Sequence, residues 1–222
     1  MRRSPRPPRD VERDSSPCLL PPAWLCEEEL NPVWQLNKQL LDALMTNNGS
    51  ASAALSSNFQ PNIAHSLRSL GDVGRQRLAQ VPCLLVDGGF RNTQQWLDAK
   101  DALPEGLLTG SECGWSRSPT GRHLARTTLH LAWYWARSHR QAVSLVLDAS
   151  SPCATVISKL DLLVLGRLAE AYADWFRPRW VDRPRVWRSL IALAQNEPSS
   201  PLFSADISGL NLLFGEIVAE PT

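Results

Sequence analysis

The sequence predicts a mainly α-helical protein, an irregular helical bundle with at most one short strand near residues 83–87. Apolar residues recur at three- and four-residue spacing in segment after segment, and proline or glycine separates these segments. Several segments begin with a Ser, Asn or Asp that can cap a helix. The chain has 222 residues, 43% of them hydrophobic and 20% charged, so it is long enough to bury a core.

Composition divides the chain into four parts. Residues 1–18 are rich in proline and arginine and predict a disordered N-terminal tail. Residues 19–116 predict an N-terminal helical region with a flexible linker at 49–60, where small and polar residues prevail. Residues 117–195 predict a basic C-terminal helical bundle, and residues 196–222 form a C-terminal tail.

The N-terminal region contains three predicted helices and the one strand candidate. Asn31 as N-cap and Pro32 at the first helical position open a helix that closes at Asn47, Asn48 and Gly49. A second helix starts at Pro61 and is weakened by Gly71 and Gly74. The apolar run Val81–Phe90 contains the strand candidate, although a buried helix end fits it as well. Thr93 is the predicted cap of a short helix through Trp96 and Leu97.

The C-terminal region contains five predicted helices. The longest carries Leu124, Thr128, Leu131 and Trp135 on one side. The predicted starts are Ser118-Pro119, Ala142, Ser151-Pro152, Asp161 and Pro184, and Pro178 ends the helix that Asp161 caps.

Charge and cysteine usage narrow the function classes. The net charge is +1, but residues 117–188 carry +7 and residues 24–116 carry −4. This asymmetry favours an acidic partner, a charge match within the chain, or nucleic acid. Twenty of the 23 cations are arginine, as a GC-rich genome would produce, so arginine content alone is weak support for a binding role. The five cysteines contain no CxxC pair and predict reduced thiols in the cytoplasm.

Candidate chemical sites have simpler structural explanations. Asp87 follows an apolar run and precedes two glycines, but a phosphatase-type site needs a second acid at residue 89, so an Asp-Gly turn is predicted. Cys113 lies in a segment like that of a cysteine nucleophile but lacks a suitable histidine context. No two histidines have metal-binding spacing, and GxSxG, P-loop and GxGxxG motifs are absent. The sequence therefore predicts no catalysis, cofactor or metal, and no apolar run reaches the roughly 18 residues of a membrane span.

The segment WFRPRWVDRPRVW, from Trp175 to Trp187, is the predicted partner-binding element. Tryptophan and arginine concentrate binding energy at protein interfaces, which favours a docking surface. The same tryptophans could instead fill a helical core, with the arginines solvated or paired to Asp174 and Asp182. The candidate partner-binding residues are Arg177, Arg179, Trp180, Arg183, Arg185, Trp187 and Arg188.

A DNA-binding alternative rests on the same arginines and on residues 152–176. A short helix, a tight turn and a longer helix would there form a helix-turn-helix. The second helix carries only Arg167 as a base against three acids, which is unfavourable for entering a major groove.

The helix order of residues 118–195 resembles the cytosolic K-component of bacterial type III secretion systems, of the YscK and NolU type. The segments that carry the resemblance are LHLAWYWARSHR, AVSLVLDA, PCATVISKL and DLLVLGRLAEAYADWFRPRW. The resemblance implies a soluble, non-enzymatic adaptor that contacts other secretion-apparatus proteins at the cytoplasmic face of the inner membrane, with a role in virulence or nodulation.

A second resemblance is to flagellar master regulators of the FlhD type. It implies a transcriptional regulator that binds DNA or RNA polymerase through the basic C-terminal half. It rests on Leu147, Ala154, Thr155, Leu160, Leu162, Leu168, Ala169 and Glu170.

Overall fold

A computed structural model describes residues 27–45, 59–103 and 118–195. These ranges contain nine α-helices, one 3-10 turn and one two-stranded sheet, which confirms the prediction of a mainly helical, irregular fold. Both predicted tails, Cys113 and most of the predicted linker lie outside the described residues.

The helices follow one another through most of the described chain. In order they are α1 (Glu27–Met45), α2 (Pro61–Ser69), α3 (Asp72–Ala79), α4 (Thr93–Asp101), α5 (Pro119–Ser138), α6 (Arg140–Val146), α7 (Ser151–Ser158), α8 (Leu162–Ala171) and α9 (Pro184–Gln195). A 3-10 turn at Ala173–Trp175 follows α8.

The sheet consists of β1 (Val86–Asp87) and β2 (Arg177–Pro178), paired antiparallel. Val86 lies opposite Pro178, and Asp87 lies opposite Arg177. The predicted strand therefore forms over two residues only. The sequence does not predict its partner strand, because Pro178 has the signal of a helix stop. A proline can take part here because a two-stranded sheet leaves one side of each strand without a backbone partner.

Helix α1 begins five residues earlier than predicted. Asn31 and Pro32 lie inside the helix, so the prediction of Asn31 as N-cap is wrong. Leu30 is fully buried on the same face of the helix as Val33. The longer helix thus adds one apolar side chain to the core, which favours the extension. Pro32 has no N–H to donate to the carbonyl of Glu28, which is the local cost of extending the helix past a proline.

Another predicted cap is displaced by one residue. Asn92, not Thr93, caps α4 by accepting a hydrogen bond from the Gln95 N–H. Helix α7 begins at Ser151, followed by Pro152, as predicted, and Ser150 caps it by accepting from the Cys153 N–H. In both places two adjacent polar residues are available, and the capping residue is the one whose backbone lies outside the helix.

The caps predicted for α5 and α8 in the basic region are confirmed. Ser118 accepts from the Gly121 N–H at 2.8 Å, with Pro119 at the first position of α5. Asp161 accepts from the Val164 N–H at 2.8 Å and caps α8. Helix α8, however, ends at Ala171, before the predicted stop at Pro178.

The predicted second helix is divided in two. Helix α2 ends at Ser69 and α3 begins at Asp72, with Gly71 in extended conformation at the N-cap of α3. Ile63, Leu67 and Leu70 are nevertheless buried, as their shared spacing predicted.

The buried side chains of the N-terminal and C-terminal regions belong to one hydrophobic cluster. Helix α5 packs against α1, α7 and α8, while α9 packs against α2 and α3. Phe59, placed in the predicted flexible linker, is buried with its ring 5.0 Å from that of Trp187. The last part of that predicted linker is therefore a core element.

A fully buried Asn37 connects α1 to the chain leading into β1. Its Nδ2 donates to the carbonyls of Ala79 and Cys83, at 3.1 and 2.9 Å, and its Oδ1 accepts from the Leu85 N–H at 2.8 Å. These bonds satisfy backbone groups that the irregular segment 80–85 cannot pair within a helix or sheet.

Candidate interaction surface

The segment between α8 and α9 follows the strand β1 and then turns sharply. The Arg179 N–H donates to the carbonyl of Leu85 at 2.8 Å, extending the pairing of β1 and β2 by one bond. Trp180 then adopts the left-handed conformation, with φ of 55°, and its carbonyl accepts from the Arg183 N–H at 3.0 Å. A left-handed tryptophan is strained, so the contacts around this turn have to hold it in place.

Arg179 is the main contact that holds the turn. Its side chain is only 8% exposed, and its Nη2 lies 2.7 Å from Oδ2 of Asp148. Its Nη1 donates to the carbonyls of Leu84 and Val146, both at 3.3 Å. The guanidinium also lies over the ring of Trp180, 4.5 Å from the ring centroid. A buried arginine thus joins the turn to β1, to the end of α6 and to its own neighbour.

Asp148 is held by a second arginine from the other side. Arg91 donates from Nε to Oδ2 at 2.7 Å and from Nη2 to Oδ1 at 2.6 Å. Asp148 has φ of 57°, a left-handed conformation that aspartate tolerates better than most residues. We call Arg91, Asp148 and Arg179 the carboxylate clamp.

Burial lowers the pKa of Arg179 to about 10. The group nevertheless stays protonated at neutral pH, since its pKa remains well above 7. The buried charge is therefore present at neutral pH. The carboxylate of Asp148 forms an ion pair with it, and the carboxylate of Asp87 also favours the charged form.

Four arginines surround the turn and are exposed. Arg177 lies on β2, Arg183 precedes α9, and Arg185 and Arg188 lie on the outer face of its first turn. The inner face of the same helix buries Val186, Trp187, Leu190, Ile191 and Ala194. We call Arg177, Arg183, Arg185 and Arg188 the basic surface.

The predicted partner-binding residues separate into two groups. Arg179 and Trp187 are buried, so neither can contact a partner directly in this fold. Trp187 instead donates its Nε1–H to the carbonyl of Arg179 at 2.7 Å, and this buried hydrogen bond supports the turn from the side of the core. Trp180 is half-buried, with one face covered by the Arg179 guanidinium. The four residues of the basic surface and the edge of Trp180 are what a partner could contact.

Sequence reasoning missed Arg91 and Asp148, which position the turn. Both lie in short connections, Arg91 after β1 and Asp148 after α6, and 57 residues separate them. No local periodicity or motif marks such a pair. The only available signal is the opposite charge of two residues in loops that flank buried segments.

The candidate chemical sites form no catalytic constellation in the described ranges. Asp87 accepts a hydrogen bond from the Gly89 N–H at 2.8 Å, which is the predicted turn geometry, and Gly89 has φ of 68°. The Nε2 atom of His139 lies 3.8 Å from Oε2 of Glu29. Within the described residues, no three His, Cys, Asp or Glu side chains come together as metal ligands.

The two helices of the suggested helix-turn-helix, α7 and α8, are both present. Helix α8 begins with Leu162 and Leu163, which are 59% and 74% exposed. Glu170 at its other end pairs with Arg126 of α5. The start of the would-be recognition helix thus presents apolar side chains, which are less suited to a phosphate backbone than to a protein surface.

None of the helices in the described ranges combines the length and the apolar content that crossing a bilayer requires. Comparison with known proteins gives no match to a protein-family model, to a curated protein or to a solved structure.

Proposed function

We propose that this chain is a non-enzymatic cytoplasmic adaptor of a bacterial type III protein secretion apparatus, and that the basic surface contacts an acidic partner. The observation that carries the contact is the construction of the turn, in which the carboxylate clamp, through its buried Arg179, supports a left-handed Trp180 between two exposed arginine segments. A rigid support reduces the backbone entropy that the segment loses on binding. The assignment to secretion rests on the resemblance in helix order.

An adaptor role also fits the exposed leucines of α8. Leu162 and Leu163 are adjacent, and an exposed apolar pair of this kind is typical of a surface that another protein covers. The proposed position at the cytoplasmic face of the inner membrane would follow from the partners and not from insertion into lipid.

The test is charge reversal on the basic surface. Arg183→Glu, Arg185→Glu and Arg188→Glu together should abolish recovery of apparatus components in a pull-down from a secreting bacterium, and should stop secretion. The matched control is Arg68→Glu, Arg122→Glu and Arg140→Glu, which changes the net charge equally at exposed positions on α2, α5 and α6. The control should leave recovery unchanged.

Circular dichroism separates an interface from a structural role. If the triple variant keeps its helical content and loses its partners, the basic surface is an interface. Loss of helicity would show that these arginines stabilise the fold, and the interface proposal would be wrong. Recovery of RNA polymerase or promoter DNA in place of apparatus proteins would favour the transcriptional regulator.

A further inference from the structure

A column of aromatic rings runs from the core to the surface beside α4. Phe90 and Trp96 are buried and stacked, with ring centroids 5.8 Å apart. Trp175 meets Trp96 edge-on at 5.3 Å, and Tyr172 stacks on Trp175 at 4.4 Å with an interplanar angle of 27°. Trp175 and Tyr172 are both half-buried, so the outer end of the column meets solvent.

A groove of about 390 Å³ lies against the outer end of this column. Tyr172 and Trp175 contribute its aromatic lining, and α4 with its flanking residues contributes the rest, which includes the small side chains of Ala99 and Ala102. The polar side chains are Asn92, Gln94, Gln95 and Asp98. We call this the aromatic groove.

Asp98 gives the aromatic groove its charge. It is exposed and accepts one hydrogen bond, from Nε2 of Gln94 at 2.7 Å. In the described part of the chain no cation pairs with it. The aromatic groove therefore joins stacked aromatic rings to a carboxylate that pairs with no cation among the described residues.

Aromatic walls of this kind bind proline-rich peptides in the extended polyproline II conformation. Proline rings pack on tyrosine and tryptophan faces, and the preset φ of proline lowers the entropy lost on binding. A carboxylate beside the rings adds a preference for arginine next to the prolines. The aromatic rings and the carboxylate of the aromatic groove together favour a ligand with closely spaced prolines and flanking arginines.

The chain itself contains such a segment. Residues 2–9 read RRSPRPPR, in which Pro5 and Pro8 have the PxxP spacing and four arginines occur without an acid. The 18 residues from Arg9 to Glu27 span roughly 55 Å when extended at about 3.1 Å per residue. A folded unit of this size has a radius of gyration of about 15 Å, so the segment can reach any face of it.

We propose that the aromatic groove binds the Pro5–Arg9 segment of the same chain, with the prolines against Tyr172 and Trp175 and an arginine paired to Asp98. This site is separate from the basic surface and does not depend on the proposed secretion role. It makes the N-terminal segment a ligand of its own helical unit, one that a competing proline-rich partner could displace.

Photo-crosslinking in the full-length protein tests the placement. With p-benzoylphenylalanine in place of Ser4, irradiation and mass spectrometry should find crosslinks concentrated on α4 and residues 172–175. Asp98→Lys, which changes only an exposed side chain, should reduce these crosslinks at least fivefold, while Tyr134→Ala on α5 should not. Crosslinks scattered over the surface would overturn the proposal. Mixing isotope-labelled and unlabelled chains shows whether a crosslink joins residues of one chain or of two different copies. Crosslinks between two copies would overturn the placement within one chain.

Binding in trans tests the chemistry. Full-length protein carrying Pro5→Ala and Pro8→Ala should bind a fluorescein-labelled peptide of residues 1–12, as measured by anisotropy. Trp175→Ala in that background should weaken binding about tenfold or more, as loss of an aromatic anchor does. The same peptide with alanine in place of Pro5 and Pro8 keeps every arginine and should bind at least tenfold more weakly. Equal binding of the two peptides would mean that charge alone attracts them, and the proposal would fail.

Discussion

The carboxylate clamp makes a sharp prediction about the substitution Asp148→Asn. Asparagine has the shape of aspartate and tolerates the φ of 57° at this position, so the change removes the charge and little else. Arg179 would then remain protonated and 7% exposed without its ion-paired carboxylate, and the charge of Asp87 would act on it without an ion pair in the described residues. A buried charge without its counter-charge is among the most destabilising features that a single substitution can create.

The magnitude follows from the two arginines of the clamp. Breaking a buried ion pair by removing one partner costs roughly 3–5 kcal/mol. We expect about 3 kcal/mol for Asp148→Asn, since the side chain of Asp148 is 31% exposed and the new amide oxygen still accepts a hydrogen bond. In a domain of this size that lowers Tm by about 6–12 °C. Arg91→Ala should cost only about 0–1 kcal/mol, because the Arg91 side chain is 65% exposed.

Urea denaturation at pH 7, followed by circular dichroism and tryptophan fluorescence, measures both free energies of unfolding. Asp182→Asn is the matched control, the same substitution at an exposed position, and should change stability by less than about 0.5 kcal/mol. If Asp148→Asn costs no more than Arg91→Ala, Arg179 is solvated well enough to need no counter-charge, and the reasoning on the clamp is refuted.

Three further predictions concern the rest of the fold. Asn37→Ala should cost about 3 kcal/mol or more in urea denaturation, because it leaves three buried backbone groups unpaired, whereas Asn31→Ala should be neutral within about 0.5 kcal/mol. A loss of about 1 kcal/mol for Asn31→Ala would instead restore it as a helix cap. Gly166→Ala should raise stability by about 0.5–1 kcal/mol, since an added Cβ meets nothing within 4 Å inside α8; a decrease would contradict the described packing. Burial raises the pKa of Cys83 from 9.0 to about 11, so the unfolded chain loses that proton first and stability falls as pH rises through this window. Between pH 8 and 10.5 the protein should lose about 2 kcal/mol more than its Cys83→Ala variant, and equal losses would show that the thiol ionises without penalty.

The helices were predictable because their signals are local. Spacing of apolar residues placed the buried faces of α5, α8 and α9, and the Ser118 and Asp161 caps lie where a polar residue precedes a periodic run. Local signals failed where burial outweighed them, as at Leu30, whose burial accompanies a helix that runs past Pro32.

The candidate interaction surface was predictable in composition but not in arrangement. Tryptophan and arginine marked the segment, yet the sequence does not show that Arg179 points inward while its neighbours Arg177 and Arg183 point outward. That difference depends on Asp148, which is distant in sequence and becomes a neighbour only when the end of α6 meets the segment before β1, where the Leu84 N–H donates to the carbonyl of Val146. Tertiary pairing of single residues leaves no periodic trace, so it cannot be predicted from one chain.

The packing of α9 onto α2 and α3 has a consequence for synthesis of the protein. Helix α3 ends at Ala79 and α9 begins at Pro184, so 104 residues separate helices that cover each other's apolar faces. At about 5–20 residues per second, a ribosome needs roughly 5–20 s to add them. During that interval side chains such as Leu67 and Leu70 lack part of their final cover, which makes the nascent chain a substrate for chaperones until its last helix emerges.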